Sequence, residues 1–449
     1  MNNVINNYGY IESLNAAELI AAPIYLLFII FFAYFHQKKK IRQYAHYKYF
    51  LTGLILKIIG GIGFCYVYIN VYKGGDTVNY FESARAFSNL LLENSVDFTT
   101  NYFSSSSYEN YYKFSPTTGY PWSYMYFDPK TLFVIKIATP IVLICFNSFI
   151  LSTLIFSILS YIGIWKAYEV FVSYYPNHSK VLFYSFIAVP SVVFWGSGIL
   201  KDTITLSATC WLVYFFNTLF ILKKYEVKKI IYLIISTFVI FFIKPYILIS
   251  LMPGVIFWLL YNKINKIKIA FLKLIAFPII LILSVSIGFS ILSLLGDFNF
   301  AKLIEEASIK QNDLKQSYYN GSSFDIGSYE PTPSGALKAS PKALYASFYR
   351  PTFFDAKNAQ MVLSALENFI LLALSIVVLY KNRVTGVFTL LFKNPLLLFC
   401  FSYSLLLAIL IGLSTSNFGA LIRFKIAFAP FISTTLVLLY TLSSNRKII

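Results

Sequence analysis

The chain has 449 residues, 58% of them hydrophobic and only 12% charged, with a mean hydropathy of +0.67. Soluble globular proteins carry about 25% charged residues, so that class is excluded. The formal net charge of +18 does not point to nucleic acid: the basic residues stand in short clusters between apolar runs, as topology signals do, and no basic face of a folded module is visible.

Apolar runs of about 18 to 22 residues recur along the chain, each long enough to cross a bilayer as a helix. The expected fold class is all-α: a polytopic transmembrane helix bundle of about 11 spans, with two external, non-cytoplasmic loop segments carrying short helices. Residues 1–18 contain Glu12 and Glu18 but no Lys or Arg, unlike the basic start of a cleavable signal peptide. The first apolar run, residues 19–35, is followed by Lys38-Lys39-Lys40-Ile41-Arg42. That order places the N-terminus outside and the basic cluster in the cytoplasm.

A second span at residues 50–70 returns the chain to the outside and closes the first division, residues 1–70. External loop 1, residues 71–148, opens on Lys73-Gly74-Gly75-Asp76-Thr77, an acidic, glycine-led turn that starts a short helix. It also holds the turn-rich Pro116-Thr117-Thr118-Gly119-Tyr120-Pro121. Its apolar end, residues 131–146, is expected to be interfacial or re-entrant. Counting it as a span would put Lys223-Lys224 and Lys228-Lys229 outside, against the positive-inside rule.

A transmembrane bundle follows over residues 149–295, with spans near 149–168, 181–200, 203–222, 230–243, 246–260 and 272–295. External loop 2 covers residues 296–360. Spans near 361–380, 396–413 and 426–442 complete the last division, residues 361–449, and leave the C-terminus in the cytoplasm. The short cytoplasmic connections then hold Lys38 to Arg42, the 223–229, 263–273 and 381–393 clusters, and the tail Arg446-Lys447. The expected location is the plasma (inner) membrane, multi-pass.

Cys65, Cys145, Cys210 and Cys400 lie singly within apolar runs and read as small core residues. His36, His46 and His178 fall near expected cytoplasmic ends and form no metal-ligand pattern.

Several charged residues fall instead at expected outer ends of spans, where they need partners or ligands. They are Asp76, the Lys201-Asp202 turn, Lys244, Arg350, and the Arg423 and Lys425 of Ser416-Asn417-Phe418-Gly419-Ala420-Leu421-Ile422-Arg423-Phe424-Lys425. The chemistry such a set supports is transfer onto or from an anionic lipid carrier. A carboxylate can act as general base on an acceptor hydroxyl or hold a divalent cation. Arg and Lys bind phosphates, and the Tyr and Trp of the first loop offer faces to sugar rings and anchors among membrane lipids.

Each residue also has a purely structural reading. Asp76 can be an N-cap, Lys201 and Asp202 a self-neutralising turn, and Lys244 a snorkelling side chain. Arg350 can be an ordinary loop cation, Arg423 an inverted topology anchor, and Glu305 and Glu306 a solvated helix face.

The pattern Asp76-x-x-x-Tyr80-x-x-x-Ala84, opening an external helix early in a polytopic chain, is similar to the first-loop acidic motif of the GT-C glycosyltransferases. The stretch Pro190-Ser191-Val192-Val193-Phe194-Trp195-Gly196-Ser197-Gly198-Ile199-Leu200-Lys201-Asp202, together with Tyr349-Arg350-Pro351 and Gly419-Ala420-Leu421-Ile422-Arg423-Phe424-Lys425, resembles uncharacterised bacterial membrane proteins grouped loosely with them. The resemblance implies a membrane helix bundle with its active site on the non-cytoplasmic side. It implies a polyprenyl-phosphate sugar donor and a glycan, lipid or protein acceptor. Asp76 would be the catalytic base, or the metal ligand if Mg or Mn takes part, and Tyr80, Lys201, Asp202, Lys244, Arg350, Arg423 and Lys425 would bind substrate. The chain departs from the family pattern in carrying the acidic loop after its second span and Thr77 where an acidic partner is common.

Three other functions fit the same layout. A polymerase or ligase of lipid-linked repeat units, of O-antigen or exopolysaccharide type, has similar spans and outer-face arginines. A transporter of lipid-linked sugars would place charges in mid-span, where Lys57 is the main instance. A structural subunit of an envelope complex is the fourth reading.

Overall fold

The structure, a computed structural model, describes residues 16–295, 300–316 and 323–444. Glu12, residues 296–299 and 317–322 of the second expected loop, and the tail with Arg446 and Lys447 lie outside the described residues. Among the described residues every regular element is a helix, apart from one isolated bridge between Ser323 and Asn417. The chain divides into two compact units: Met1–Phe183 with Val192–Tyr214, and Tyr184–Ser191 with Phe215–Ile449. The division cuts through the stretch expected as one bundle over residues 149–295.

In the first unit, α1 (Ala16–Lys40) leaves Leu27, Phe28 and Phe32 each more than half exposed. Such a large apolar face asks for an apolar surrounding. Helix α2 (Phe50–Tyr66) packs on the later helix Phe149–Tyr174 and runs on into a π turn, Val67–Val71. Then come α3 (Asp76–Glu93), α4 (Ser95–Phe103), α5 (Tyr108–Tyr111) and α6 (Ser123–Tyr126). Asn94 and Ser107 cap α4 and α5 by accepting from backbone N–H groups of the first turn. The expected outer loop is therefore largely helical.

Helix α7 (Pro129–Ile144) packs along α3. Its 16 residues measure about 24 Å at 1.5 Å per residue, short of the roughly 30 Å of a hydrocarbon core. Phe146 and Asn147, both at positive φ, reverse the chain into α8 (Phe149–Tyr174), capped by the Ser148 hydroxyl.

The expected span at residues 181–200 is not one helix. It consists of α9 (Ser179–Leu182), a π turn Phe183–Ile187, α10 (Pro190–Trp195) and five further residues before α11 (Lys201–Phe216). Pro190 has no N–H to continue the ladder, and Gly196 and Gly198 disfavour helix thereafter. An apolar count alone cannot see either break.

In the second unit, α12 (Val227–Ile243) and α13 (Pro245–Asn265) are joined at Lys244. They are followed by α14 (Ala270–Leu295), α15 (Phe300–Asp313) and α16 (Pro333–Tyr349). Helix α17 (Ala359–Lys393) is interrupted at Arg383, where φ is 53°. The cluster at 381–393, expected as a loop, is thus helical on both sides of one bent residue. Helices α18 (Pro395–Ser414), α19 (Phe418–Lys425) and α20 (Ala429–Ser444) complete the unit. Helix α18 packs against α13, α16 and α20, and α17 packs against α20.

Seven of the described helices are long and apolar enough to cross a membrane, and α19 with α20, bent by 62°, would make an eighth. The seven coincide with expected spans near 19–35, 50–70, 149–168, 203–222, 246–260, 361–380 and 396–413. The chain reads as a helical membrane protein.

Candidate functional site

The first unit builds its most specific geometry at the start of α3. Gly75 has φ 112° and ψ −177°, a conformation essentially confined to glycine. A Cβ there would stand 3.1 Å from the Tyr68 ring. The cap position belongs to Gly75, so Asp76 is not an N-cap but the first helical residue, partly exposed. At that place its carboxylate complements the helix dipole. One turn on, Asn79 donates to the Tyr124 hydroxyl at 2.8 Å. The Tyr124 hydroxyl is pushed up by burial and by the charge of Asp76, against the Asn79 hydrogen bond. Asp76, Asn79 and Tyr124 therefore form one polar corner.

Next to Asp76, the Thr77 hydroxyl accepts the backbone N–H of Ile199 at 3.2 Å. This bond ties the start of α3 to the break between α10 and α11. The same break is held from the other side by Lys57 of α2, fully buried. Its ammonium donates to the carbonyls of Gly196 at 2.6 Å and Val192 at 3.1 Å. Gly198 lies so close to Phe64 that a Cβ would come within 2.2 Å of the ring. A mid-span lysine and a glycine thus fix a stretch of non-helical backbone, which apolar surroundings tolerate only when its polar groups are satisfied.

The break delivers Lys201. Its ammonium donates to Thr131 Oγ1 at 2.6 Å and to Asp128 Oδ2 at 3.0 Å. The Thr131 hydroxyl also donates to Asp128, and Asp128 caps α7 through the N–H groups of Lys130 and Thr131. Burial works to raise the Asp128 carboxyl, but these donors and the Lys201 charge outweigh it and hold the group below the usual carboxylate range. Lys201 thus pairs with Asp128, and its sequence neighbour Asp202 is buried.

In the second unit, three cations gather on one ring. Lys244 Nζ lies 4.5 Å from the centre of Phe424, Lys310 Nζ 4.7 Å, and the Arg423 guanidinium carbon 5.5 Å. Cation–π attraction operates at such distances. Lys244 is only 7% exposed, which does not fit a side chain snorkelling to an interface.

Arg350 pairs with Asp355 through Nε at 3.1 Å and Nη2 at 2.5 Å. Its plane also lies 5.3 Å from the Phe324 ring and 5.1 Å from the Phe418 ring. Burial works to raise the Asp355 carboxyl, yet Arg350 and the N–H and hydroxyl of Thr352 hold it low. Lys425, buried, donates to Asn368 Oδ1 and to the carbonyls of Phe348 and Arg350, each at 3.4 Å. The carboxylate of Glu367 accepts from the N–H of Ser191 at 2.8 Å and from its hydroxyl at 2.7 Å.

The expected site residues therefore separate by unit. Asp76, Tyr80, Lys201 and Asp202 belong to the first, and Lys244, Arg350, Arg423 and Lys425 to the second. Tyr80 is 5% exposed, its place on α3 facing the protein interior. Lys425 is engaged with Asn368 and backbone carbonyls, which makes it a brace for the chain around Arg350. Arg350 is likewise held by Asp355, while Glu305 and Glu306 are exposed on α15.

Sequence reasoning overlooked Asp128, Lys310, Asp355 and Glu367. Asp128 before Pro129 is a helix-start signal, and Glu367 is an acid inside an apolar run, a default functional flag. Nothing in the sequence brings Lys310 to Phe424. Among the described residues no group of three His, Cys, Asp or Glu could hold a metal ion. A divalent cation at Asp76 would take its remaining ligands from substrate phosphates and water. No family model matches the chain, and neither a curated protein nor a solved structure matches it.

Proposed function

We propose that this chain is a membrane glycosyltransferase that moves a sugar from a polyprenyl-phosphate-linked donor to a glycan, lipid or protein acceptor on the outer face of the plasma membrane. The topology that goes with this function has about 11 spans, the N-terminus outside and the C-terminus in the cytoplasm. Helix α7 then lies at the interface. The observation that supports the reading best is the Thr77–Ile199 bond. It joins, within one unit, the Asp76 helix, whose motif is similar to that of the GT-C enzymes, to the Gly196–Asp202 break, which resembles uncharacterised membrane proteins grouped loosely with them.

The chemistry follows from the residue types. The Asp76 carboxylate takes the proton of the acceptor hydroxyl. The acceptor oxygen forms its bond to the anomeric carbon as the bond from that carbon to the phosphate oxygen breaks, and the electron pair leaves with the lipid phosphate. General-base help of this kind is worth about 10²–10⁴-fold. The cations of the second unit, Lys244, Lys310 and Arg423, have the chemistry to bind a lipid phosphate, Arg offering bidentate contact.

A second reading is favoured by the number of those cations: three on one ring suit the higher charge of a diphosphate, the carrier used by polymerases and ligases of lipid-linked repeat units. Asp76→Asn and Arg423→Ala separate the two in nanodiscs supplied with polyprenyl-linked sugars. If the first reading holds, Asp76→Asn abolishes transfer. Intact transfer in Asp76→Asn with a dead Arg423→Ala supports the second. Lys57, the residue most suggestive of a transport path, bonds two carbonyls instead.

A further inference from the structure

The second unit contains an open groove of about 330 Å³, with Asp325, Ile326, Lys342, Tyr345 and Arg350 in its lining. That volume is at the low end of the roughly 300–1,000 Å³ of small-molecule sites, and it suits a ligand about one ring in size.

Its floor is fixed. Ile326 is buried, and Arg350, bonded to Asp355 and packed on the Phe324 and Phe418 rings, forms a wall. Asp325 is oriented by the N–H of Gly327 at 2.8 Å and by Lys315 at 2.8 Å. Lys315, the Gly327 N–H and the nearby Lys342 hold its carboxyl below the usual range, against burial, so it remains an acceptor.

Two side chains are left for a ligand. Tyr345 is 51% exposed. Lys342, three residues earlier on α16, lies on the same helix face. Lys342 acts on Asp325 through its charge, without a hydrogen bond to it. An aromatic face, a fixed carboxylate and an ammonium around one groove make a recognisable set. The ring accepts the C–H face of a sugar, the carboxylate accepts its hydroxyls, and the ammonium takes an acidic substituent.

We propose that this groove is a saccharide subsite for a pyranose unit that carries an acidic group, stacked on Tyr345 with its charge at Lys342. Its assignment to the acceptor glycan rests on the transfer function above; the binding itself does not.

Trigalacturonate and maltotriose are suitable probes, titrated calorimetrically into the full-length chain in nanodiscs. Trigalacturonate is expected to bind about tenfold more tightly, a difference of about 1.4 kcal/mol. Lys342→Gln is expected to erase that preference while leaving maltotriose binding in place, and Tyr345→Ala to weaken both ligands about tenfold. Absence of binding by either probe overturns the proposal, as does a preference that survives Lys342→Gln. If Asp76→Asn transfers normally while trigalacturonate still binds through Lys342 and Tyr345, the subsite stands and only its acceptor role is lost.

Discussion

The ammonium of Lys57 reaches the carbonyl oxygen of Gly196 at 2.6 Å, across 139 positions of sequence. A cation in the middle of an apolar helix is there because a neighbouring stretch of backbone has left helical geometry and exposed its acceptors. Through Ile199 that stretch also bonds to Thr77, and it leads directly into Lys201, which pairs with Asp128.

Lys57→Met keeps the length of the side chain and removes both donated bonds. Each carbonyl left without a donor costs about 1–3 kcal/mol. The thermal midpoint in detergent is expected to fall, and amide exchange over residues 196–200 to rise selectively. Unchanged exchange there would show that the break holds itself.

Gly75→Ala is expected to destabilise the chain by about 1–3 kcal/mol, because a side chain at this backbone conformation is strained and its Cβ meets Tyr68 at 3.1 Å. Limited proteolysis at residues 73–76, compared between wild type and variant, reads the loosening directly. Equal cleavage rates would contradict the strain argument.

The pH dependence of stability carries the signature of Asp128. Its carboxyl is held below the ordinary value of 3.8, so its contribution is complete above that pH and is lost as the pH falls through the lower folded value. Asp128→Asn should remove this part of the acid dependence and bring the two stability curves together below pH 3.8. Thermal midpoints measured across that range check it; curves that stay parallel would show that Lys201 does not depend on the charge of Asp128.

Asp355→Ala leaves the Arg350 guanidinium without its carboxylate. Hydrogen bonds to charged groups contribute about 1.5–3 kcal/mol, and a loss of that size is expected in chemical unfolding. A double-mutant cycle with Arg350→Met isolates the pair. A coupling near zero would mean that the Phe324 and Phe418 rings alone hold Arg350.

Much of the helical layout was legible because apolar run length is a one-dimensional signal. The turn at Gly74-Gly75-Asp76 was legible for a similar reason: paired glycines and an acid mark a helix start locally. What escaped was set by contacts distant in sequence. The break at residues 196–200 lies in a run whose apolar count passes for a span, and the contacts of Lys57 and Phe64 that hold it are not visible in the sequence. Asp128 acquires its meaning from Lys201, 73 positions away. Lys310 comes to Phe424 by tertiary packing alone. Tyr80 matched a motif in spacing, yet the orientation of α3 turned it inward.

The most direct measurement of the proposed function is the release of polyprenyl phosphate from a polyprenyl-phosphohexose by the purified chain in nanodiscs, followed with an acceptor glycan present. Wild type is expected to release the lipid phosphate in step with sugar transfer, and Asp76→Asn, folded and equally stable, to lose at least about 10²-fold in rate. Equal turnover by wild type and Asp76→Asn would contradict the assignment of Asp76 as the base.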